Sequence, residues 1–440
     1  MRYSNDKGLI SNSLTTYEHV SRRVLKNIVF CFLSATILIF IVSCSSRRSK
    51  SEEDKTSSGT VTSIDAIDFK PTINIYVENS GSMDGYVKGQ TEFENIVYNY
   101  LVDLNLAKIP SKMNFFYINS RILSQENDVK TFIEDLDPST FRARGGNRGR
   151  SDISQMLSMI MNDMNDSTVS MFISDCIFSP GRGEDATEYL TKQQTGIKDV
   201  IGQYFNEHPK FAVLGYRCMS TFNGYCYDRN DTGRLFNGRR PFYIWMFGTQ
   251  STLKCIQHEM QKKNFHKNDV KDELMFFATG ITMPDSCYAV KRGSGNFDLK
   301  KSDPKRSIEH LRSDKNGKVR FAVEINYANF ILSDEYLRDT SMYTLSDNRY
   351  KIVSVDSVKG GSKYTHIIRI EADRVYPSNL VIQLNANVPT WLDHHNDEAG
   401  DAISESNADK TFGIKYMTNG IAEAILRQSY YTRFTININK

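Results

Sequence analysis

The sequence lacks the signatures of several large functional classes. It contains no phosphate-binding glycine loop of the Walker or dinucleotide type, no cysteine and histidine spacing typical of zinc sites, and no internal repeat. The formal net charge of +3 is carried entirely by the first 44 residues, which leaves the rest of the chain neutral. Because a neutral chain has no general electrostatic attraction for nucleic acid, we predict no nucleic-acid partner.

The length and composition are those of a chain with ordinary globular domains. With 440 residues, 40% of them hydrophobic and 24% charged, the chain is long enough for two domains with sizeable cores. We predict a leader over 1–44, a flexible tether over 45–70, a first domain over 71–270 and a β-rich domain over 271–440. The tether prediction rests on a composition rich in serine and charged residues.

The leader carries the pattern of a secretory signal. Basic residues precede an apolar run over 28–43, which is shorter than the roughly 20 residues that a membrane span needs. The run ends in Ile41-Val42-Ser43-Cys44, which resembles the lipobox of bacterial lipoproteins. That resemblance implies cleavage before Cys44, a lipid on its sulfur, and a membrane-anchored protein of the bacterial cell envelope, periplasmic or on the surface. The alternative is an uncleaved signal anchor, which also leaves the bulk of the chain outside the cytoplasm.

Five cysteines follow the leader, so an oxidising compartment leaves at least one thiol free. Cys218 and Cys226 bracket a short stretch, and they are the pair that we expect to form a disulfide.

The region from residue 72 to about 265 alternates strand and helix patterns. Short apolar runs predict buried strands, and apolar residues at helical spacing predict helices between them. Strands are expected at 73–77, 113–118, 169–173, 211–214 and 242–247, and helices at 93–104, 153–164, 197–205 and 253–260. This alternation predicts an α/β fold, a doubly wound, mostly parallel sheet with helices on both faces. Ligands bind such sheets at the carboxyl ends of the strands.

The hydrophobic pattern of the sequence changes after about residue 270. Alternating patterns such as 319–327 predict further strands, and a single helix is expected where Ile414, Met417, Ile421 and Ile425 share a face. We therefore predict a smaller, mostly-β C-terminal domain with one helix.

A polar motif follows the first predicted strand, and two polar residues stand at the ends of later elements. The motif is Glu78-Asn79-Ser80-Gly81-Ser82-Met83, and Ser151 and Asp175 are the later residues. This set resembles the metal-ion-dependent adhesion site of the von Willebrand factor A family, whose motif is Asp-x-Ser-x-Ser, followed by a threonine before a helix and an aspartate ending a strand. Ser80, Ser82 and Asp175 match that pattern, Ser151 stands for the threonine, and Glu78 replaces the first aspartate.

The resemblance implies a divalent cation, Mg²⁺ or alternatively Mn²⁺ or Ca²⁺, held by Glu78, Ser80, Ser82, Ser151 and Asp175. Magnesium prefers oxygen ligands, and hydroxyls with few carboxylates leave it attractive to another anionic oxygen. Gly81 is expected to permit the tight turn that brings both serine hydroxyls together. Because Glu78 is one methylene longer than aspartate, it either crowds the ion or rotates away, and the alternative is a degenerate site that binds no ion.

Three loops are expected beside this site, and two of them are rich in arginine and tyrosine. Arg144, Arg148 and Arg150 precede Ser151, and a long loop over 216–241 carries Tyr225 and Arg229. Arginine and tyrosine are enriched where proteins bind partners, so we expect a protein partner that presents a carboxylate. The alternative for the arginine loop is a solvated segment whose arginines pair with nearby acids.

The sequence thus favours a lipid-anchored protein that binds its partner through the cation. A second hypothesis is a metal-independent interaction scaffold with the same fold. A third is a hydrolase, for which Cys176 would be a nucleophile at a strand end, but no histidine can be assigned beside it. We therefore predict that the protein is not an enzyme.

Overall fold

The computed structural model describes residues 70–439, and a seven-stranded sheet forms the first part of them. Its strands are β1 (Thr72–Glu78), β2 (Lys112–Ile118), β3 (Ile122–Gln125), β4 (Thr168–Ser174), β5 (Phe211–Tyr227), β6 (Gly233–Thr249) and β7 (Val270–Phe276). They lie in the order β3-β2-β1-β4-β6-β5-β7. The leader, Cys44 and the predicted tether up to residue 69 lie outside the described residues.

The predicted doubly wound, mostly parallel sheet is wrong, because the sheet is mixed. Only β2, β1 and β4 are parallel neighbours. The pairs β2–β3, β4–β6, β5–β6 and β5–β7 are antiparallel. Parallel neighbours need a crossover of a dozen residues or more, whereas β5 and β6 are joined by the short turn 228–232, which makes them a hairpin.

The hairpin also replaces the loop that we expected over 216–241. Along β5, buried and less buried side chains alternate from Cys218 to Tyr227, the period of a strand with one covered face. Glycines and polar residues within this stretch obscured that alternation in the sequence. Cys218 and Cys226 lie on the same strand, about eight residues or roughly 26 Å apart, so the expected disulfide is wrong and both thiols are free.

Helices cover both faces of the first sheet. They are α1 (Glu92–Leu106), α2 (Val129–Glu134), α3 (Pro138–Ala143), α4 (Ile153–Asn162), α5 (Ala186–Glu207), α6 (Gln250–Met260) and α7 (Asn264–Asn268). Buried residues of α1 and α6 pack with one face of β1 and β4, while those of α4 and α5 pack with the other. Every residue of β4 is buried, as expected for a central strand covered on both sides.

The remaining strands form two larger sheets and a two-stranded ladder. They are β8 (Ile281–Thr282), β9 (Tyr288–Val290), β10 (Asn296–Leu299), β11 (Ser307–Arg312), β12 (Val319–Ile325), β13 (Tyr343–Leu345), β14 (Tyr350–Ser357), β15 (His366–Ala372), β16 (Ser378–Asn385), β17 (Asn396–Asp397), β18 (Thr411–Phe412) and β19 (Tyr430–Ile438). One sheet has the order β10-β11-β19-β16-β13, with β8 beside β19, and the other has the order β14-β15-β12-β9. The inward side chains of both sheets belong to one hydrophobic cluster.

Three helices, not the one expected, lie among these strands. They are α8 (Asp334–Arg338), α9 (Trp391–His395) and α10 (Ile414–Ile425). The first two are about one turn long, too short for apolar periodicity to reveal. The predicted α10 is confirmed, and it packs on α5 of the first sheet, where a Cβ at Gly420 would lie 2.7 Å from the carbonyl of Gln194. The domain boundary near residue 270 stays a prediction.

Among the helices of residues 70–439, none is both long and apolar enough to cross a membrane.

Candidate functional site

The candidate site lies where β1 and β4 end. These strands are parallel neighbours with Val77 opposite Ile173, so their next residues, Glu78 and Ser174, emerge at the same edge of the sheet. Glu78 and Asp175 are buried, although ionised carboxylates are rarely buried without partners. The sequence motif and the strand pairing therefore bring two carboxyl groups to one place.

Glu78 turns towards two hydroxyls rather than towards solvent. Ser151 Oγ donates to Glu78 Oε1 at 2.7 Å, and Ser174 Oγ donates to Glu78 Oε2. The extra methylene of glutamate gives the carboxylate the reach to bridge β4 and the start of α4. Ser174 was missed from the sequence, because it precedes the matching aspartate and belongs to no motif.

Ser80 and Ser82 face each other in the turn after β1. Their hydroxyl oxygens lie 3.0 Å apart. Gly81 between them has φ −63°, and a Cβ there would meet its nearest atom only at 3.5 Å. The turn therefore does not require glycine, and our expectation for Gly81 is wrong; a 3-10 turn over Ser82–Gly85 supplies the tight geometry.

Asp175 is the site residue whose hydrogen-bonding capacity is least satisfied. Its Oδ1 accepts a hydrogen bond from the backbone N–H of Ile177 at 3.2 Å, while its Oδ2 is buried without a hydrogen-bond partner. The next residue, Cys176, has φ +56°, an unfavourable backbone region for a residue with a side chain. This strained residue turns the chain sharply after β4.

The electrostatics link the five predicted residues into one cluster. Burial raises the pKa of Glu78 above its ordinary range, and the nearby Asp175 carboxylate raises it further, while the hydroxyls of Ser174, Ser151 and Ser80 lower it. Burial also raises the pKa of Asp175, against the lowering effect of the Ile177 N–H, the Ser82 hydroxyl and Arg240. Two acids that resist ionisation side by side are a common feature of functional sites and of ion-binding sites without their ion.

A cavity of about 190 Å³ opens over the three serines of this cluster. Its lining includes Ser80, Ser82, Ser151, Ser179, Tyr227 and Asp231. Tyr227 and Asp231 come from the β5–β6 hairpin, and Ser179 from the loop after Asp175. Both segments were expected beside the site as loops, but none of these three residues was predicted as a member of it.

The predicted partner-binding arginines mostly hold the fold together. Arg148 donates to the carbonyls of Asn79 and Ser80 at 2.6 and 3.1 Å and pairs with Asp84. Arg144 pairs with Asp135 at 3.5 Å.

The other three predicted partner residues differ in exposure and in contacts. Arg150 donates to the Pro180 carbonyl at 3.2 Å and stacks over the ring of Tyr189. The backbone N–H of Arg229 donates to the Gly400 carbonyl at 2.8 Å, and Tyr225 is exposed. Binding of a partner by any of these residues stays a prediction.

No protein-family model, curated protein or solved structure matches this chain. The function must therefore be argued from the residues of the site.

The donor set fits a hard divalent cation. Asp175 Oδ2 is a buried oxygen without a partner, Glu78 supplies a second carboxylate, and three serine hydroxyls lie within the same cluster. Oxygen donors of this kind suit Mg²⁺, Mn²⁺ or Ca²⁺ and not zinc. Within residues 70–439, no three His, Cys, Asp or Glu side chains cluster as a metal site, so such an ion would depend on the hydroxyls.

Proposed function

We propose that this chain is a lipid-anchored envelope protein that binds a carboxylate-bearing protein partner through a divalent cation. Glu78, Ser80, Ser82, Ser151 and Asp175 would hold the cation. The observation that carries the proposal is the buried, unpartnered Oδ2 of Asp175 beside the buried Glu78 carboxylate. The likeness of these positions to the von Willebrand factor A adhesion site adds support, although the doubly wound sheet that it implied is absent.

The chain's own residues supply few negative charges to the site. Two carboxylates and neutral hydroxyls leave a bound divalent cation electron-poor, so that it attracts a further anionic oxygen. The cavity above the serines opens a path for that oxygen. An aspartate or glutamate side chain of a partner has the charge and size for this position.

A metal-independent scaffold is the second candidate, and two contacts favour it. Both oxygens of Glu78 already accept hydrogen bonds from serines, which satisfy the carboxylate without a cation. The buried Arg240 also places a positive charge near Asp175 and lowers its pKa. In that case the cavity would bind its partner by hydrogen bonds alone.

A hydrolase is not supported by Cys176. Burial raises the pKa of its thiol far above the ordinary value, which disfavours the nucleophilic thiolate. That the protein is not an enzyme remains a prediction.

The deciding experiment is a Mn²⁺ titration of the full chain in detergent, followed by electron paramagnetic resonance of the free ion. We expect saturable binding that Ser80→Ala and Glu78→Gln weaken. Ser307→Ala is the matched control, because Ser307 is a buried serine whose hydroxyl donates to a carboxylate, Asp303 at 2.8 Å, outside the site. Unsaturable binding, or equal affinities for Ser80→Ala and Ser307→Ala, would reject the cation and favour the scaffold.

A further inference from the structure

The β5–β6 hairpin extends beyond the sheet as a two-stranded ribbon. β5 pairs with β7 only from Val213 to Cys218, and β6 pairs with β4 only from Tyr243 to Phe247. Beyond these stretches the two strands pair only with each other, as far as Tyr227 opposite Gly233. A bare ribbon is marginally stable, so this one needs support from the fold.

That support comes from the turn that carries the candidate site. A Cβ at Gly224 would lie 2.6 Å from the Cα of Gly85, so the two backbones touch where ribbon and turn meet. Phe222 and Cys226 are buried on the same face of the ribbon as Gly224. One face of the ribbon is therefore fixed against the 3-10 turn that follows Ser80.

The opposite face is exposed, and it is apolar at the tip of the ribbon. Tyr225 and Leu235 are a cross-strand pair, 54% and 61% exposed, and Tyr227 is 41% exposed. A Cβ at Gly233 would lie 3.0 Å from the ring of Tyr227 and 3.3 Å from that of Tyr225, so both rings flank this glycine. Tyr225, Tyr227, Gly233 and Leu235 form a continuous surface, the hairpin patch. It holds three of the five large, exposed hydrophobic residues found within residues 70–439.

The hairpin patch is continuous with the cavity of the candidate site. Tyr227 belongs to both, because its hydroxyl lies 3.6 Å from where a Cβ of Gly81 would stand and its ring reaches Gly233. A ligand that fills the cavity therefore meets an apolar surface at the rim. Exposed tyrosines in an apolar patch beside a polar pocket are typical of a binding surface.

We propose that the hairpin patch selects partners in which an apolar side chain accompanies the carboxylate on an extended segment. Side chains two residues apart in an extended chain lie on one face, separated by about 7 Å. The carboxylate would enter the cavity, and the apolar side chain would cover Tyr225 and Leu235. This inference rests on the proposed function for the carboxylate, while the apolar selection has its own test.

The test uses immobilised peptides and the full chain in lipid nanodiscs, measured by surface plasmon resonance with Mg²⁺. The probes are acetyl-Phe-Gly-Glu-Gly-Phe-amide, its analogue with glycine for both phenylalanines, and its analogue with glutamine for glutamate. We expect the phenylalanine peptide to bind at least about fivefold more tightly than the glycine peptide, from the apolar area that it covers. The double variant Y225S/L235S should abolish that ratio.

Leu106→Ser and Val353→Ser are the matched controls, since these residues are 68% and 59% exposed but lie outside the hairpin. Equal binding of the two glutamate peptides, or a ratio that persists in Y225S/L235S, would overturn the inference. A ratio lost equally in the controls would also overturn it. Failure of the proposed function is seen separately: the glutamate peptide would then bind no better than the glutamine peptide, or chelation would leave its binding unchanged.

Discussion

The parallel half of the first sheet (β2, β1 and β4) buries polar groups, whereas its antiparallel half (β6, β5 and β7) exposes apolar ones. In the parallel half, β1 and β4 end inside the protein beside two buried carboxyl groups, and one oxygen of Asp175 has no hydrogen-bond partner. In the antiparallel half, β5 and β6 run out beyond the sheet and expose tyrosine and leucine to solvent. Ser80, Ser82 and Ser151 of the acid cluster and Tyr227 of the hairpin line one cavity, which links the two departures from ordinary burial.

The largest expected effect tests the parallel half. Asp175→Asn keeps an acceptor for the Ile177 N–H but removes the negative charge. We therefore expect Mn²⁺ affinity to fall by more than about 100-fold. This loss exceeds the effect of mutating a residue that only supports the metal ligands. The same substitution should change the stability of the metal-free protein little, because it removes a buried carboxyl group with a raised pKa but also the negative charge near the buried Arg240. Calorimetric titration and urea unfolding measure the two effects.

Asp231→Asn is the control for this comparison, because Asp231 lines the same cavity from the antiparallel half. A loss of Mn²⁺ affinity as large as that of Asp175→Asn would remove the distinction between the two halves.

The next largest effect tests how the ribbon is attached. A Cβ at Gly224 would meet the Gly85 backbone at 2.6 Å, so Gly224→Ala should lower the free energy of unfolding by about 1–3 kcal/mol. Gly202→Ala, within helix α5, is the matched substitution, since a Cβ at Gly202 would meet only Ala424 of α10, at 3.9 Å. Helix propensity should then raise stability by about 0.5–1 kcal/mol. Urea unfolding measures both variants. An equal loss of unfolding free energy in Gly224→Ala and Gly202→Ala would contradict the close approach of the two backbones.

The effect of pH sharpens the account of the buried acids. Burial raises the pKa of Glu78 and Asp175 above their ordinary values of 4.5 and 3.8, so the folded protein binds more protons than the unfolded chain. Their contribution to the metal-free free energy of unfolding should therefore fall as pH rises above the ordinary carboxyl range. Asp175→Asn should reduce this fall, because it removes one of the two carboxyl groups. Urea unfolding at several pH values measures this dependence. If the free energy of unfolding falls as steeply with pH in Asp175→Asn as in the unmodified protein, the coupling is contradicted.

The smallest effect belongs to the hairpin patch. Leu235→Ser changes an exposed side chain, so thermal unfolding should show a change in stability within about 0.5 kcal/mol. Mn²⁺ affinity should be unchanged, because Leu235 has no contact with the acids. A larger loss would mean that the patch supports the fold instead of a partner.

The sequence allowed the parallel half to be predicted better than the antiparallel half. Continuous apolar runs mark β1 and β4, and their polar ends mark Glu78 and Asp175, because a central strand and its carboxyl edge are encoded locally. Strand direction beyond β4 depends on the short turn 228–232 and on long-range pairing, which no local pattern specified.

Local sequence patterns also could not predict which residues contact the site residues. That Ser174 donates to Glu78 and that Tyr227 reaches the cavity follow from where the chain returns after many residues. The sequence left open whether the arginines before Ser151 bind a partner or pair with nearby acids, and Arg148 in fact donates to the carbonyls of Asn79 and Ser80 and pairs with Asp84. Composition alone does not separate such a structural arginine from one that binds a partner.

The most direct test of the cation is a crystal structure of the protein soaked with Mn²⁺, recorded with its anomalous signal. The account predicts one anomalous peak between Ser80, Ser82 and Asp175, with Asp175 Oδ2 as a ligand and Ser151 released from Glu78 or shared with the ion. No peak at saturating Mn²⁺, with both Glu78 oxygens still accepting from Ser151 and Ser174, would contradict it.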